Sequence, residues 1–231
     1  MKIVILALLI SFPLTADARS ACVILLHGLL LSDGWMEKME KAIARAGFAT
    51  VNVDYPSTKY PIEELAGPAI APALDRCQGY DEVHFVAHSL GSILVRYYLG
   101  RVPVENLGRV VMLGPPNKGS EVADRLEKVP GFHLVFGDAG MQLGTGRQSL
   151  PKRLGAADFD LGVIAGTCSI HPIFSRLLPA ADDGVVSVES TRLQGMHDHL
   201  QMRATHLFLI RNKAVIDQVI HYLRFGEFNR L

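Results

Sequence analysis

The ten residues Glu82–Gly91, EVHFVAHSLG, decide how this chain is read. Glu82–Ala87 is an apolar, β-rich run of strand length, and Leu90–Leu99 carries a helical pattern. Only His88 and Ser89 separate the two. A serine at so sharp a strand-to-helix turn projects its hydroxyl above the sheet edge. The strain demands small residues two positions before and after it, and Ala87 and Gly91 supply them. The N-terminus of the following helix favours negative charge developing near Ser89. A lone S-x-G reads equally well as an ordinary helix N-cap. The complete succession of strand, AHSLG and helix favours a nucleophile instead.

The same alternation extends in both directions. Cys22–Leu26 (CVILL) is a continuous apolar strand. Asp33–Ala46 has helical spacing through Met36, Met39, Ile43 and Ala46, with Gly47 closing it. Phe48–Val53 reads as a strand. Pro61–Arg76 reads as a helix, with Pro68 and Pro72 expected to bend it. Beyond the serine come a strand at Arg109–Leu113, a helix at Ser120–Lys128, a strand at Leu161–Ala165 and a closing helix at Ala214–Leu223. Strands apolar on both faces and separated by helices imply a parallel sheet covered on both sides. No linker or composition shift divides the chain. The expectation is one doubly wound α/β domain over residues 19–231, with about six mostly parallel strands and no separate cap domain.

Composition narrows the class. The chain has 231 residues, with Lys+Arg 23 balanced by Asp+Glu 23. A net charge of zero argues against a nucleic-acid partner. At 49% hydrophobic and 20% charged, the sequence is too apolar for a disordered chain. The first eighteen residues stand apart. Met1-Lys2 is followed by apolar residues Ile3–Ile10, then Pro13 and Ala16-Asp17-Ala18, the order of a secretory signal cleaved after Ala18. The apolar run is shorter than the roughly 20 residues of a spanning helix. Export to the periplasm or medium is expected, with an uncleaved anchor as the alternative. Cys22, Cys77 and Cys168 match no zinc spacing. Three pairings are open, and buried free thiols are preferred to one disulfide.

Two further loops complete the chemistry. Leu26-His27-Gly28-Leu29 directly follows the first strand, beside the serine turn. The backbone amides of Leu29 and Leu90 are the expected donors to the oxyanion of a tetrahedral intermediate, and the His27 side chain braces the loop. A serine hydroxyl also needs a base, and the base needs a carboxylate to orient it. Asp183 and His206 supply these in the chain order Ser89, Asp183, His206. Asp183 is preferred to Asp182 because it immediately precedes Gly184. Nine histidines compete for the role of base. His84 lies within a strand. His88 flanks the nucleophile and points elsewhere. His133 and His171 precede the acid. His197 and His199 decorate a strand near residues 196–202, and one H-x-H is weak evidence for a metal. His221 lies inside the last helix. Only His206 falls between the last strand and the last helix.

With these residues in hand, the chain resembles the small bacterial lipases and esterases of the α/β-hydrolase superfamily. Gly114-Pro115-Pro116-Asn117-Lys118-Gly119-Ser120-Glu121-Val122-Ala123-Asp124 is similar to their G-x-P-x-x-G-S-x-x-A-D segment, and Asp183-Gly184-Val185-Val186-Ser187 resembles their acid loop. The likeness runs from about Cys22 to Leu223. It implies hydrolysis of acyl esters through a covalent acyl-enzyme, without a cofactor. Ala87 stands where the usual elbow has its first glycine. Leu207 follows His206 where calcium-binding relatives tend to carry an aspartate, so no calcium site is carried over.

An apolar site is expected from Leu29, Leu30 and Leu31 as a rim and from residues 130–146 as either a mobile flap or a packed loop or short helix. Phe132 and Phe136 are its candidate substrate contacts. Ile173, Phe174, Leu177 and Leu178 are candidates for a further wall. The expected substrate is an acyl ester or lipid, with transient contact at a lipid interface. The same three side chains also suit an acyltransferase, a thioesterase or an amidase, and the scaffold also suits a non-catalytic binding protein. Oligomeric state is left open.

Overall fold

The computed structural model describes residues 20–169, 178 and 181–230. The expected signal segment 1–18, and Ile173, Phe174 and Leu177, lie outside the described residues.

Six parallel strands form one open sheet in the order β2-β1-β3-β4-β5-β6. They are β1 (Ala21–Leu26), β2 (Ala49–Val53), β3 (Glu82–His88), β4 (Leu107–Leu113), β5 (Leu161–Gly166) and β6 (Asp198–Met202). Strand alternation divides the core in two. Ile24, Leu26, Phe85, Ala87 and Met112 face α2 (Ile62–Arg76) and α3 (Leu90–Leu99). Val23, Leu25, Val86, Val111 and Ile164 face α1 (Asp33–Arg45) and the last helix, α8 (Lys213–Phe225). Both faces are buried, which is why these strands read as unbroken apolar runs.

The chain steps from β1 outward to β2, then returns to lay β3 on the other side of β1. The loops leaving β1 and β3 therefore diverge at the carboxyl ends of adjacent strands. Open α/β sheets form their binding crevices at such a switch point. The serine turn and the His27-Gly28 loop both lie there.

Three details stand out. Helix α2 runs as one helix through Pro68 and Pro72, and both prolines lie on its exposed face, where their freed carbonyl partners are open to solvent. Cys22 and Cys77 are joined by a disulfide, with Cα atoms 5.7 Å apart, rather than being buried free thiols. The parallel crossover causes this. Ala21 pairs with Glu82, so the chain leaving α2 for β3 must pass the start of β1, and Cys77 caps α2 at that point. Short helices α4 (Glu121–Leu126), α5 (Phe132–Met141), α6 (Leu150–Arg153) and α7 (Val188–Thr191) fill the connections flanking β5. Of these, only α4 is expected from periodicity.

Candidate active site

Ser89 joins β3 to α3 with φ 51° and ψ −118°. Among the described residues, Leu30 is the only other non-glycine at positive φ. Such a conformation costs about 1–3 kcal/mol and persists only where its surroundings enforce it. Here the Ser89 amide donates to the Leu113 carbonyl at 3.0 Å, fixing the turn to β4. Gly91 is required by crowding. A Cβ there would sit 2.6 Å from the His27 carbonyl oxygen. Helix α3 thus begins almost in contact with the β1 loop.

His206 opens a short 3₁₀ turn, His206–Phe208, between β6 and α8. Its Nε2 lies 2.9 Å from Ser89 Oγ, and its Nδ1 lies 2.7 Å from Asp183 Oδ2. The backbones are tied as well, since the His206 amide donates to the Asp183 carbonyl at 2.9 Å. The other carboxylate oxygen of Asp183 accepts from the amides of Val185 (3.0 Å) and Val186 (2.8 Å). A carboxylate held on both oxygens has a fixed orientation. The competing Asp182 turns the other way and accepts from the Gly184 amide at 2.7 Å. The three residues named from sequence order are therefore brought together, and all three are buried.

The segment Asn117–Glu121 clamps the acid loop. Ser120 Oγ donates to the Val185 carbonyl at 2.7 Å, and Glu121 accepts from Ser190 Oγ at 2.9 Å. Asn117 donates to the Thr191 carbonyl at 2.8 Å, and Lys118 pairs with Glu189. The buried Arg96 holds this segment from α3 through the carbonyl and side-chain oxygens of Asn117, both at 3.2 Å. Burial lowers its pKa to about 10.

On the other side, the two amides that follow Leu29 in the β1 loop are already engaged. The Leu30 amide donates to Ser57 Oγ at 3.1 Å, and the Leu31 amide to the Gly28 carbonyl at 3.2 Å. Leu90, the first residue of α3, has no carbonyl one turn back within its own helix. His27 is a brace, as its position suggests. Its ring stacks on Tyr55 at 4.1 Å, and Tyr55 Oη donates to the His27 carbonyl at 2.6 Å. Its Nδ1–H donates to the Gly28 carbonyl, so Nε2 is left to accept from the Tyr55 amide. Burial lowers its pKa, which keeps the ring neutral although Asp54 lies 3.4 Å away.

Ser89 and His206 open into a cavity of about 300 Å³. All four sequence candidates, Leu30, Leu31, Phe132 and Phe136, line it. Only Leu30 of the leucine rim is exposed, while Leu29 and Leu31 are half-buried. Leu143, inside the expected 130–146 segment, adds to the wall, as do Val122, Leu126 and Val185, whose contact depends on how α4 and the acid loop fold over the sheet. No charged side chain lines the cavity among the described residues. Leu178 is buried but does not line it. Residues 130–146 are largely helical, with the rings of Phe132 and Phe136 stacked at 4.3 Å over the cavity. The segment is tied to its neighbours. Gln142 accepts from the Ile62 amide at 2.8 Å, and the Thr145 amide donates to Asp124 at 2.8 Å.

One residue set aside in the sequence belongs here. His88 does point away from the cavity, but toward the loop that carries His206. Its Nε2 lies 3.0 Å from the His206 carbonyl oxygen, and the two rings are 4.8 Å apart. Strand alternation gives the signal, because His88 shares its face with Val86, the face covered by α8. Among the described residues, no group of three or more metal-ligating side chains is found, and His199 instead meets Thr191 Oγ1 at 2.9 Å.

No protein-family model matches the sequence, and no curated protein does. Solved structures do match. Bacillus licheniformis lipase BlEst2 in its mature form aligns with TM-score 0.73 and 18% identity, over 90% of this chain and 93% of that one. Phospholipase PlaB from Legionella pneumophila aligns with TM-score 0.69 and 17% identity, over 91% of this chain and 60% of that one. The Paleococcus ferrophilus monoacylglycerol lipase aligns with TM-score 0.59 and 18% identity, over 89% and 94%. At such identities the likeness concerns architecture, and with six parallel strands wrapped by helices the chain has the α/β-hydrolase fold.

Proposed function

We propose that this protein is a serine hydrolase that cleaves carboxylic esters with apolar acyl groups through an acyl-enzyme on Ser89. The observation that carries the reading is the continuous chain from Asp183 through His206 to Ser89 Oγ, opening into an uncharged cavity. His206 Nε2 takes the hydroxyl proton as Ser89 Oγ attacks the ester carbonyl carbon. The Leu29 and Leu90 amides receive the oxyanion that forms on the carbonyl oxygen. His206 returns the proton to the alcohol oxygen as the acyl C–O bond breaks. A water then gives its proton to His206 and attacks the acyl carbon, and Ser89 regains its hydrogen as the acid leaves. Asp183 holds the Nδ1–H tautomer throughout. The similar folds carry lipase and phospholipase names, which agrees with an ester substrate.

The cavity wall favours a hydrocarbon acyl chain over a charged one. Leu30, Leu134, Val135, Leu207 and Phe208 are exposed, and Leu30 and Leu207 line the cavity itself. An apolar surface at the mouth suits contact with a lipid interface. The protein is further proposed to be exported after removal of residues 1–18, in keeping with the disulfide, since such bonds persist in oxidising compartments.

Ser89→Ala tests the reading. Expected is loss of p-nitrophenyl ester turnover and of fluorophosphonate labelling, with an unchanged melting temperature. Wild-type turnover by the variant would overturn it. Wild-type enzyme assayed on esters of graded chain length, thioesters, amides and added alcohol acceptors should prefer ester hydrolysis.

A further inference from the structure

His88 is a buried histidine that takes no part in the proton transfers above. Its carbonyl-directed nitrogen has one possible role. The His206 backbone oxygen only accepts, so His88 Nε2 carries the hydrogen and donates it across 3.0 Å. Its other nitrogen, Nδ1, is buried with no hydrogen-bond partner among the described residues. That nitrogen lies against the oxyanion turn, where a Cβ added to Gly28 would approach it to 2.7 Å and Ser89 Cβ to 3.2 Å. One rigid ring, on the residue next to Ser89, therefore lies against the turn carrying Leu29 and holds the loop carrying His206.

Resting on the reading of Ser89 as nucleophile, we infer that His88 is a positioning residue, a neutral wedge that sets the backbone of His206 against the serine and oxyanion turns. The 3₁₀ turn at His206 is short and follows a loop, so its backbone has little secondary structure to hold it. Asp183 fixes the ring from one side through Nδ1. His88 holds the His206 carbonyl from the other, while the Asp183 carbonyl holds the His206 amide. A charged His88 would place a second cation beside the imidazolium that forms on His206. Burial and the nearby His206 push the His88 pKa well down, which prevents this.

Two substitutions separate positioning from mere filling of space. Gln at 88 keeps an N–H near the Nε2 position, whereas Leu fills the volume and donates nothing. Displacing a base by a fraction of an ångström is expected to lower turnover by about 10–100-fold. His88→Leu should therefore lose about that factor in kcat per fluorophosphonate-titrated site, with KM little changed. His88→Gln should recover most of the loss. A Leu variant with wild-type kcat, or a Gln variant as impaired as Leu, overturns the inference. Should either variant not fold, imidazole ¹⁵N spectra of the wild type still decide. His88 is expected as the neutral Nε2–H tautomer, and an Nδ1–H tautomer or an imidazolium at neutral pH overturns the role. Activity retained by Ser89→Ala would sink the parent reading. An inert Ser89→Ala beside a fully active His88→Leu would sink this inference alone.

Discussion

Asp182 and Asp183 are neighbours in sequence, yet only one carboxylate meets His206. Asp183 places one oxygen 2.7 Å from Nδ1 and hangs the other on two amides. Asp182 spends an oxygen on the Gly184 amide and shapes the turn. Removing the charge at 183 leaves the imidazolium without its partner and exchanges an acceptor for a donor. Asp183→Asn should therefore lower kcat by about 10⁴-fold, whereas Asp182→Asn should stay within several-fold of wild type, both read on a p-nitrophenyl ester. Loss of the same size at 182 would mean the acid is misassigned. The preference for 183 was legible only through the following glycine, a turn signal that says nothing of where a carboxylate points. His88 shows the same limit. Its strand face was readable from period-two alternation, but its partner lies 118 residues away.

At the scale of elements, periodicity located the strands and the long helices, because each buries a face that repeats at its own period. It did not reveal α5, where three glycines at 131, 137 and 140 mask a helical segment. Gly137 breaks that helix at φ 65°, ψ −173°, and its Cα faces Thr58 so closely that a Cβ would lie 1.7 Å from the Thr58 carbonyl oxygen. Gly137→Ala should push α5 off the Thr58 loop. Expected are a loss of about 1–3 kcal/mol in denaturant unfolding and faster thermolysin cleavage within residues 131–141. Unchanged stability and cleavage would mean that α5 is not docked there. The β3–β4 pair carries a second device. The ladder shifts register between Val83 and Phe85, and there His84 Nδ1 accepts from the Arg109 amide at 2.8 Å. Burial lowers the His84 pKa to about 4, and burial likewise lowers that of His199 to about 4. The unfolded chain binds these protons near the ordinary value of 6.5, so it is favoured as pH falls from 6.5 toward 4. The stabilisation is complete above 6.5. The urea midpoint should fall across that window, and His84→Asn, which keeps an acceptor for Arg109, should flatten the slope. A slope unaltered by the substitution would clear His84 of the effect.

For the whole molecule, the disulfide reports on topology in a way no local pattern can. Cys22 and Cys77 are 55 residues apart, and they meet only because β3 returns beside β1 after the excursion through β2 and α2. The bridge closes a loop that contains α1, β2 and α2, almost the whole first half-turn of the fold. Closing a loop of that length removes about 4 kcal/mol of chain entropy from the unfolded state. It does so at the amino ends of the strands, while Ser89, Asp183 and His206 gather at the carboxyl ends. The two effects should therefore separate. A Cys22→Ala, Cys77→Ala double variant should keep the wild-type kcat and KM at 25 °C, because the site is held by β3, α3 and the loops at the carboxyl ends of β1, β4, β5 and β6. The same variant should unfold at markedly lower urea, with a loss of about 3–4 kcal/mol, and reductant should shift the wild type similarly while leaving the variant unmoved. Equal stability of the two proteins would show that the thiols are not joined in solution. Lost activity in a folded variant would show that the site depends on the opposite end of the sheet after all.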